Sequence, residues 1–259
     1  MRIRLVQVDA FTNKTFGGNP AAVCPLDAWL PDELLQAIAS ENNLSETAYF
    51  VPKRNEYELR WFTPVAEIDL AGHPTLATAW VMTHTLGIDR DKFVFHTKIG
   101  DTLVVSRDGA RLAMDFPARP PAPKAIGDVA AALGAKPAEV LAARDGFAVF
   151  AREDEVRALK PDMAKVAELD GLGLIATAPG KDCDFVSRFF APKHNIPEDP
   201  VTGSAHTTLI PYWAKRLGKS EMFARQVSAR GGEIWCRDRG DRVTIAGTCA
   251  PYLDGWIEV

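Results

Sequence analysis

The sequence predicts a mixed α and β protein built as two related domains, and three observations carry that expectation. Short runs with alternating apolar positions, separated by Gly or Asp, dominate the first half. Four prolines fall within residues 117–123, a density that neither a helix nor a central strand sustains. A segment of the first half, Glu67-Ile68-Asp69-Leu70-Ala71-Gly72-His73-Pro74-Thr75, is echoed in the second by Glu198-Asp199-Pro200-Val201-Thr202-Gly203-Ser204-Ala205-His206.

Taken in order, residues 3–10, 47–51, 56–62, 93–97, 102–107 and 110–116 are expected as strands. Residues 32–40 place Leu34, Leu35 and Ile38 at helical spacing after Pro31, which suits a first-turn position. A second, more apolar helix is expected over 73–86. Residues 119–123 are taken as a linker between a first domain, 1–118, and a second, 124–250. Beyond the linker, 126–133 and 137–143 are expected as short helices, 147–151 as a strand, 163–169 as a helix and 172–177 as a strand. A last helix is expected to end near Leu217.

Composition narrows the functional classes. A hydrophobic fraction of 47% and a charged fraction of 25% are ordinary for a chain with a real core. Thirty Lys and Arg against 34 Asp and Glu leave a formal charge of -4, without a basic stripe interleaved with aromatics; nucleic acid is not expected as a partner. The first residues, Met1-Arg2-Ile3-Arg4-Leu5-Val6, alternate like a strand. No apolar run approaches the roughly 18 residues of a membrane span, so no membrane association and a cytoplasmic location are expected. Cys24, Cys183, Cys236 and Cys249 are scattered, and the five histidines form no His-Glu-x-x-His pattern. No metal site is expected.

Both echoed segments set acidic residues, then a Gly, then small hydroxyl-bearing residues at the opening of an apolar helix. Helix starts carry unpaired N–H groups and the positive end of the dipole, so they attract a carboxylate or a developing enolate. Taken singly, Asp69, Asp199, Thr202 and Ser204 are better read as helix caps; repetition in both halves shifts the balance toward the anion-binding reading. In Asn43-Leu44-Ser45-Glu46-Thr47-Ala48-Tyr49-Phe50, Glu46 stands where a helix gives way to an apolar strand. Partial burial there suits a general acid/base, although a solvated loop glutamate is the commoner use of such a residue. Phe16-Gly17-Gly18-Asn19-Pro20 is a Gly-rich turn without the spacing of a phosphate-binding loop. Asn19 either shapes that turn or points an amide into a site.

The motifs Val8-Asp9-Ala10-Phe11-Thr12, Gly18-Asn19-Pro20-Ala21-Ala22-Val23, Ser45-Glu46-Thr47-Ala48-Tyr49-Phe50, Arg60-Trp61-Phe62-Thr63-Pro64 and the two echoed segments, in this order and spacing, resemble the PhzF-like family. The resemblance implies an α+β, diaminopimelate epimerase-like fold: two pseudo-repeated domains, each a curved mixed sheet around a central helix. It further implies an active site in the cleft between the domains, a C-terminal strand (251–259) that returns to the first domain, and a homodimer. Glu46 matches the family's catalytic acid/base, and His73 and Asp199 match the polar partners that hold and polarise the substrate. Gly72, Gly203, Ser204 and Asn19 match substrate-binding positions.

The implied reaction is a cofactor-independent proton shift on a small carboxylated substrate. In the family's characterised case this is trans-dihydro-hydroxyanthranilate, a cyclic diene acid. The fold's racemases use two opposed thiols at the helix starts, and this chain has no cysteine at 69–86 or 198–217; a two-cysteine racemase is therefore disfavoured. The competing expectations are a PhzF-like scaffold that binds a metabolite or protein without turnover and, behind it, a lyase or hydrolase using the same acid/base.

Overall fold

The computed structural model describes all residues, 1–259. The chain forms two compact units, Met1–Asp115 with Ala246–Val259, and Phe116–Ile245.

The first unit contains β1 (Arg2–Ala10), β2 (Asn19–Pro25), α1 (Asp32–Asn42), β3 (Glu46–Lys53), β4 (Glu56–Phe62), β5 (Glu67–Ile68), α2 (Gly72–His84), β6 (Lys92–His96), β7 (Thr102–Asp108) and β8 (Arg111–Pro117), whose last residues pass into the second unit. The turn before β2 is forced by geometry. Gly18 has φ +60, and a Cβ there would lie 2.1 Å from the Ala10 carbonyl oxygen, so only glycine fits. Pro31 is the N-cap of α1, one position earlier than its spacing suggests.

Pairing runs β1–β2 antiparallel, β2–β3 parallel, β3–β4 antiparallel, β4–β5 antiparallel, β4–β6 parallel, and β6–β7 and β7–β8 antiparallel. Helix α2 packs against β1, β2, β3 and β7. Nine of its residues are buried, in the nearly unbroken run His73–Ala79 plus Val81 and Met82. A helix apolar on every side has no solvent face and must sit inside its sheet, which is why the sheet wraps around it.

The second unit continues with β9 (Ala122–Pro123), α3 (Val129–Leu133), β10 (Glu139–Ala142), β11 (Gly146–Val149), α4 (Glu153–Ala158), α5 (Met163–Glu168), β12 (Leu174–Pro179), β13 (Phe185–Ala191), β14 (Ile196–Asp199), α6 (Gly203–Leu217), β15 (Glu221–Gln226), β16 (Gly232–Asp238) and β17 (Arg242–Gly247). The chain then returns to the first unit, where β18 (Cys249–Glu258) pairs antiparallel with β1 along its length and also meets α2. Helix α6 buries Ala205 through Ile210 and Trp213. Trp213 stacks on Phe185 at 5.7 Å and donates its indole N–H to Thr177 Oγ1 at 3.0 Å. This is the second central helix.

Two segments differ from expectation. Residues 137–143 supply a strand, not a helix, because Val140 and Leu141 pair with Ala148 and Phe147 of β11, and tertiary pairing overrides a helix-favouring composition. The proline-rich stretch is not a free tether: Ala122 and Pro123 pair with Ala142 and Leu141 inside the second unit. Proline is tolerated on such an edge because its missing N–H faces no partner.

The two units repeat one topology. In the second, β10–β11 is antiparallel, β11–β12 parallel, β12–β13 and β13–β14 antiparallel, β13–β15 parallel and β15–β16 antiparallel, the succession found from β1 to β7. The register is fixed by a shared ion pair. Arg60 Nε and Nη2 grip Glu67 at 2.6 and 2.8 Å, and Arg188 Nε and Nη2 grip Glu198 at 2.7 and 2.8 Å. These are planar two-point contacts that fix direction as well as distance. Matching the pairs makes Gly72 equivalent to Gly203, His73 to Ser204 and, through the strand registers, Glu46 to Gly173 and Pro20 to Arg144.

Candidate active site

In the first unit, β3 begins with Glu46, held beside Ala21 of β2 by parallel pairing. Helix α2 begins with Gly72 and His73 after its N-cap, Ala71, whose side chain cannot cap. The sheet and its central helix thereby bring together residues 27 positions apart. His73 Nε2 stands 3.2 Å from Glu46 Oε2, and both side chains are about nine-tenths buried.

This contact is not an ion pair. Burial drives the His73 pKa down to about 3, outweighing a hydrogen bond to the Pro20 backbone that raises it, so the ring is neutral near pH 7. Because Nε2 is the nitrogen that makes no regular hydrogen bond, Nδ1–H is the donor to the Pro20 carbonyl. Nε2 is then an acceptor, and its contact with Glu46 becomes a hydrogen bond only when the carboxyl carries a proton. Asn19 is fully buried at the start of β2, and its Oδ1 accepts from Ser45 Oγ at 3.4 Å, so it steadies the turn that delivers Glu46.

The second unit carries the other predicted residues. Helix α6 starts at Gly203 and Ser204 after the N-cap Thr202. Thr202 does not cap the helix, because its hydroxyl donates instead to Asp199 Oδ2 at 2.5 Å. Buried Gln226 completes the arrangement: its Oε1 accepts from the Thr202 N–H at 2.9 Å, and its Nε2 donates to the Asp199 carbonyl at 2.7 Å and to Thr202 Oγ1 at 3.1 Å. Asp199 is thus clamped on both its backbone and its side chain, while Thr202, the N-cap, gives α6 no side-chain cap. His206 donates Nδ1–H to the Thr202 carbonyl at 2.8 Å, and burial lowers its pKa to about 4. Ser204 Oγ accepts from Arg144 Nη2 at 2.9 Å.

The structure therefore joins Glu46 with His73, with Asn19 one residue away through Ser45 and Gly72 adjoining His73. Within the other unit it joins Asp199, Gly203 and Ser204 at one helix start. Sequence reasoning missed Ser45, Gln226 and Arg144. The signal for Ser45 was its place in the Glu46 motif; Gln226 and Arg144 lie 24 and 60 residues from their contacts, and no periodicity reports such a distance. The equivalence of Glu46 with Gly173 bears directly on chemistry. A Cβ at Gly173 would fall 2.4 Å from Phe189 Cζ and 2.9 Å from the Phe190 carbonyl oxygen, so the second repeat has no room for a matching carboxylate. The cysteines are unpaired, three of them buried, and none lies at a helix start.

Comparison with known proteins agrees with this class of fold. The family model described as phenazine biosynthesis-like protein matches residues 8–255, and the chain belongs to that family. It is 52% identical over 260 residues to an uncharacterised isomerase of Pseudomonas aeruginosa, covering all of both chains. The crystal structure of a phenazine biosynthesis protein of the PhzF family from Enterococcus faecalis matches it with a TM-score of 0.97 and 45% identity over the whole of both chains. A hydroxyproline epimerase from Agrobacterium vitis shares the fold alone, at a TM-score of 0.60 and 10% identity over 99% of this chain and 92% of that one. The fold is accordingly the α+β epimerase type, and the protein is an enzyme of the isomerase class. No helix is long and apolar enough to cross a membrane.

Proposed function

We propose that the protein catalyses a proton shift between carbons of a small carboxylated substrate, with Glu46 as the only acid/base, His73 as its fixed neutral partner, and Asp199, Ser204 and the two helix starts as polar holders of the substrate. The observation that carries the reading is the pairing of a nearly buried carboxyl with a histidine whose tautomer is set by a backbone carbonyl, in a repeat whose counterpart position, Gly173, admits no side chain. A racemase needs bases on both faces of a stereocentre; a suprafacial shift needs one group that collects a proton and returns it. When Glu46 holds the proton it donates to His73 Nε2. Once ionised it faces a lone pair, which favours taking a proton back. Donors at the helix starts that await the anion lower its energy without reorganising at the moment of transfer.

The cyclic diene acid trans-dihydro-hydroxyanthranilate is the substrate we assign first. The reaction needs no cofactor in this reading, and we place the enzyme in the cytoplasm as a homodimer. Incubation with this acid in deuterated water should show loss of the diene absorbance and uptake of up to one deuterium at the accepting carbon, less whatever fraction Glu46 transfers internally. Glu46→Gln should fold normally and lose at least about a thousandfold in rate, within the range of a general acid/base. A Gln variant as fast as wild type would remove Glu46 from the chemistry. A folded but inert wild type would discard this substrate and favour a pocket that binds without turnover.

A further inference from the structure

We propose that Arg144 is a substrate-binding residue that recognises the carboxylate of the substrate at the start of α6; this rests on the proposed function and narrows its substrate class to small carboxylates held by a guanidinium. Arg144 lies in the turn between β10 and β11, at the position that Pro20 occupies in the first repeat. In both repeats this position reaches the second residue of the central helix: Pro20 through its carbonyl to His73, Arg144 through its side chain to Ser204. The first repeat uses the contact to set a histidine tautomer. The second uses it to place a positive charge beside a helix start.

The guanidinium is held yet not consumed. Nε and Nη2 donate to Asp145 Oδ2 at 3.1 and 2.7 Å, and Nη2 donates to Ser204 Oγ at 2.9 Å. Nη1 has no partner within the chain, and the side chain keeps about a third of its surface open to solvent. Asp145 is 1% exposed, and its other oxygen, Oδ1, finds no donor, so this buried carboxylate orients the arginine from behind. Since Ser204 accepts from Arg144, the serine proton remains to be donated. The N-cap residue Thr202 gives the first N–H groups of α6 no side-chain cap. Guanidinium Nη1, the Ser204 hydroxyl and backbone N–H groups from one neighbourhood form a donor set for a carboxylate. A helix cap alone would require neither the arginine nor the buried aspartate behind it.

Titration of the full-length protein with benzoate, followed by the backbone amide resonances of Gly203 and Ser204, tests this without any turnover. Benzoate should shift both resonances and benzamide should not. Arg144→Gln should weaken benzoate binding about tenfold or more with no change in the response to benzamide, and Arg144→Lys should restore part of the affinity by restoring charge. Should the Gln variant melt early, Ser204→Ala provides an independent arm, with the same selective loss of benzoate binding expected. Equal binding of benzoate and benzamide, unmoved Gly203 and Ser204 resonances, or equal benzoate affinity in wild type and a folded Arg144→Gln would overturn the assignment. Failure of the isomerase reading appears separately, as absence of Glu46-dependent loss of the diene absorbance.

Discussion

Protonation governs the behaviour of individual residues in this protein. His73 and His206 are both buried and neutral, with pKa values lowered to about 3 and about 4 from an ordinary 6.5. In the unfolded chain both protonate as pH falls through 6.5, whereas the folded chain resists until far lower pH. The unfolded state therefore binds more protons throughout that window, and stability rises with pH across it. Folding free energy measured by urea denaturation should be flat above about pH 7 and fall toward pH 4, by up to about 1.4 kcal/mol per pH unit for each histidine. Replacing His206 with Asn should flatten the slope by one histidine's share. A slope unchanged in that variant would mean that His206 is not held neutral by burial.

At the scale of elements, the duplicated strand order ends on different chemistry in each copy. Position 46 offers a carboxyl at the head of β3, and the equivalent position 173 must be glycine because Phe189 and the Phe190 carbonyl occupy the space. Gly173→Ala is expected to cost about 1–3 kcal/mol, the usual price of overpacking. Gly255→Ala, whose Cβ would meet only Leu253 Cδ2 at an ordinary 3.7 Å, should stay within about 0.5 kcal/mol of wild type. Thermal melts of the two variants check the contrast, and equal melting temperatures would refute it. Much of this layer was legible in the sequence. Alternation marked the strand over 56–62, and the largely apolar stretch after Gly72 marked a helix. Residues 137–143 misled because Ala, Glu and Leu favour helix until β11 pairs with them, and β2 was hidden because its opening looks like a turn. Within the site, Glu46 and His73 stood in recognisable motifs. Arg144 and Gln226 did not, since each acts only through contacts that the fold creates.

At the scale of the molecule, the chain belongs to a family whose fold is shared by a hydroxyproline epimerase, and in the proposed mechanism the chemistry depends on how many bases the two repeats retain. Here the first repeat holds a carboxyl and a tautomer-locked histidine, while the second holds a clamped aspartate, a serine and an arginine. In the proposed mechanism one repeat moves the proton and the other holds charge. The most direct test is a single turnover, in ordinary water, of trans-dihydro-hydroxyanthranilate deuterated at the carbon that loses its proton, with the product examined by mass spectrometry and NMR. The account expects part of the deuterium to reappear at the accepting carbon on the face it left, carried by Glu46 before solvent can exchange it. Complete loss of the label together with delivery of the new hydrogen to the opposite face would require a second base and would contradict the account.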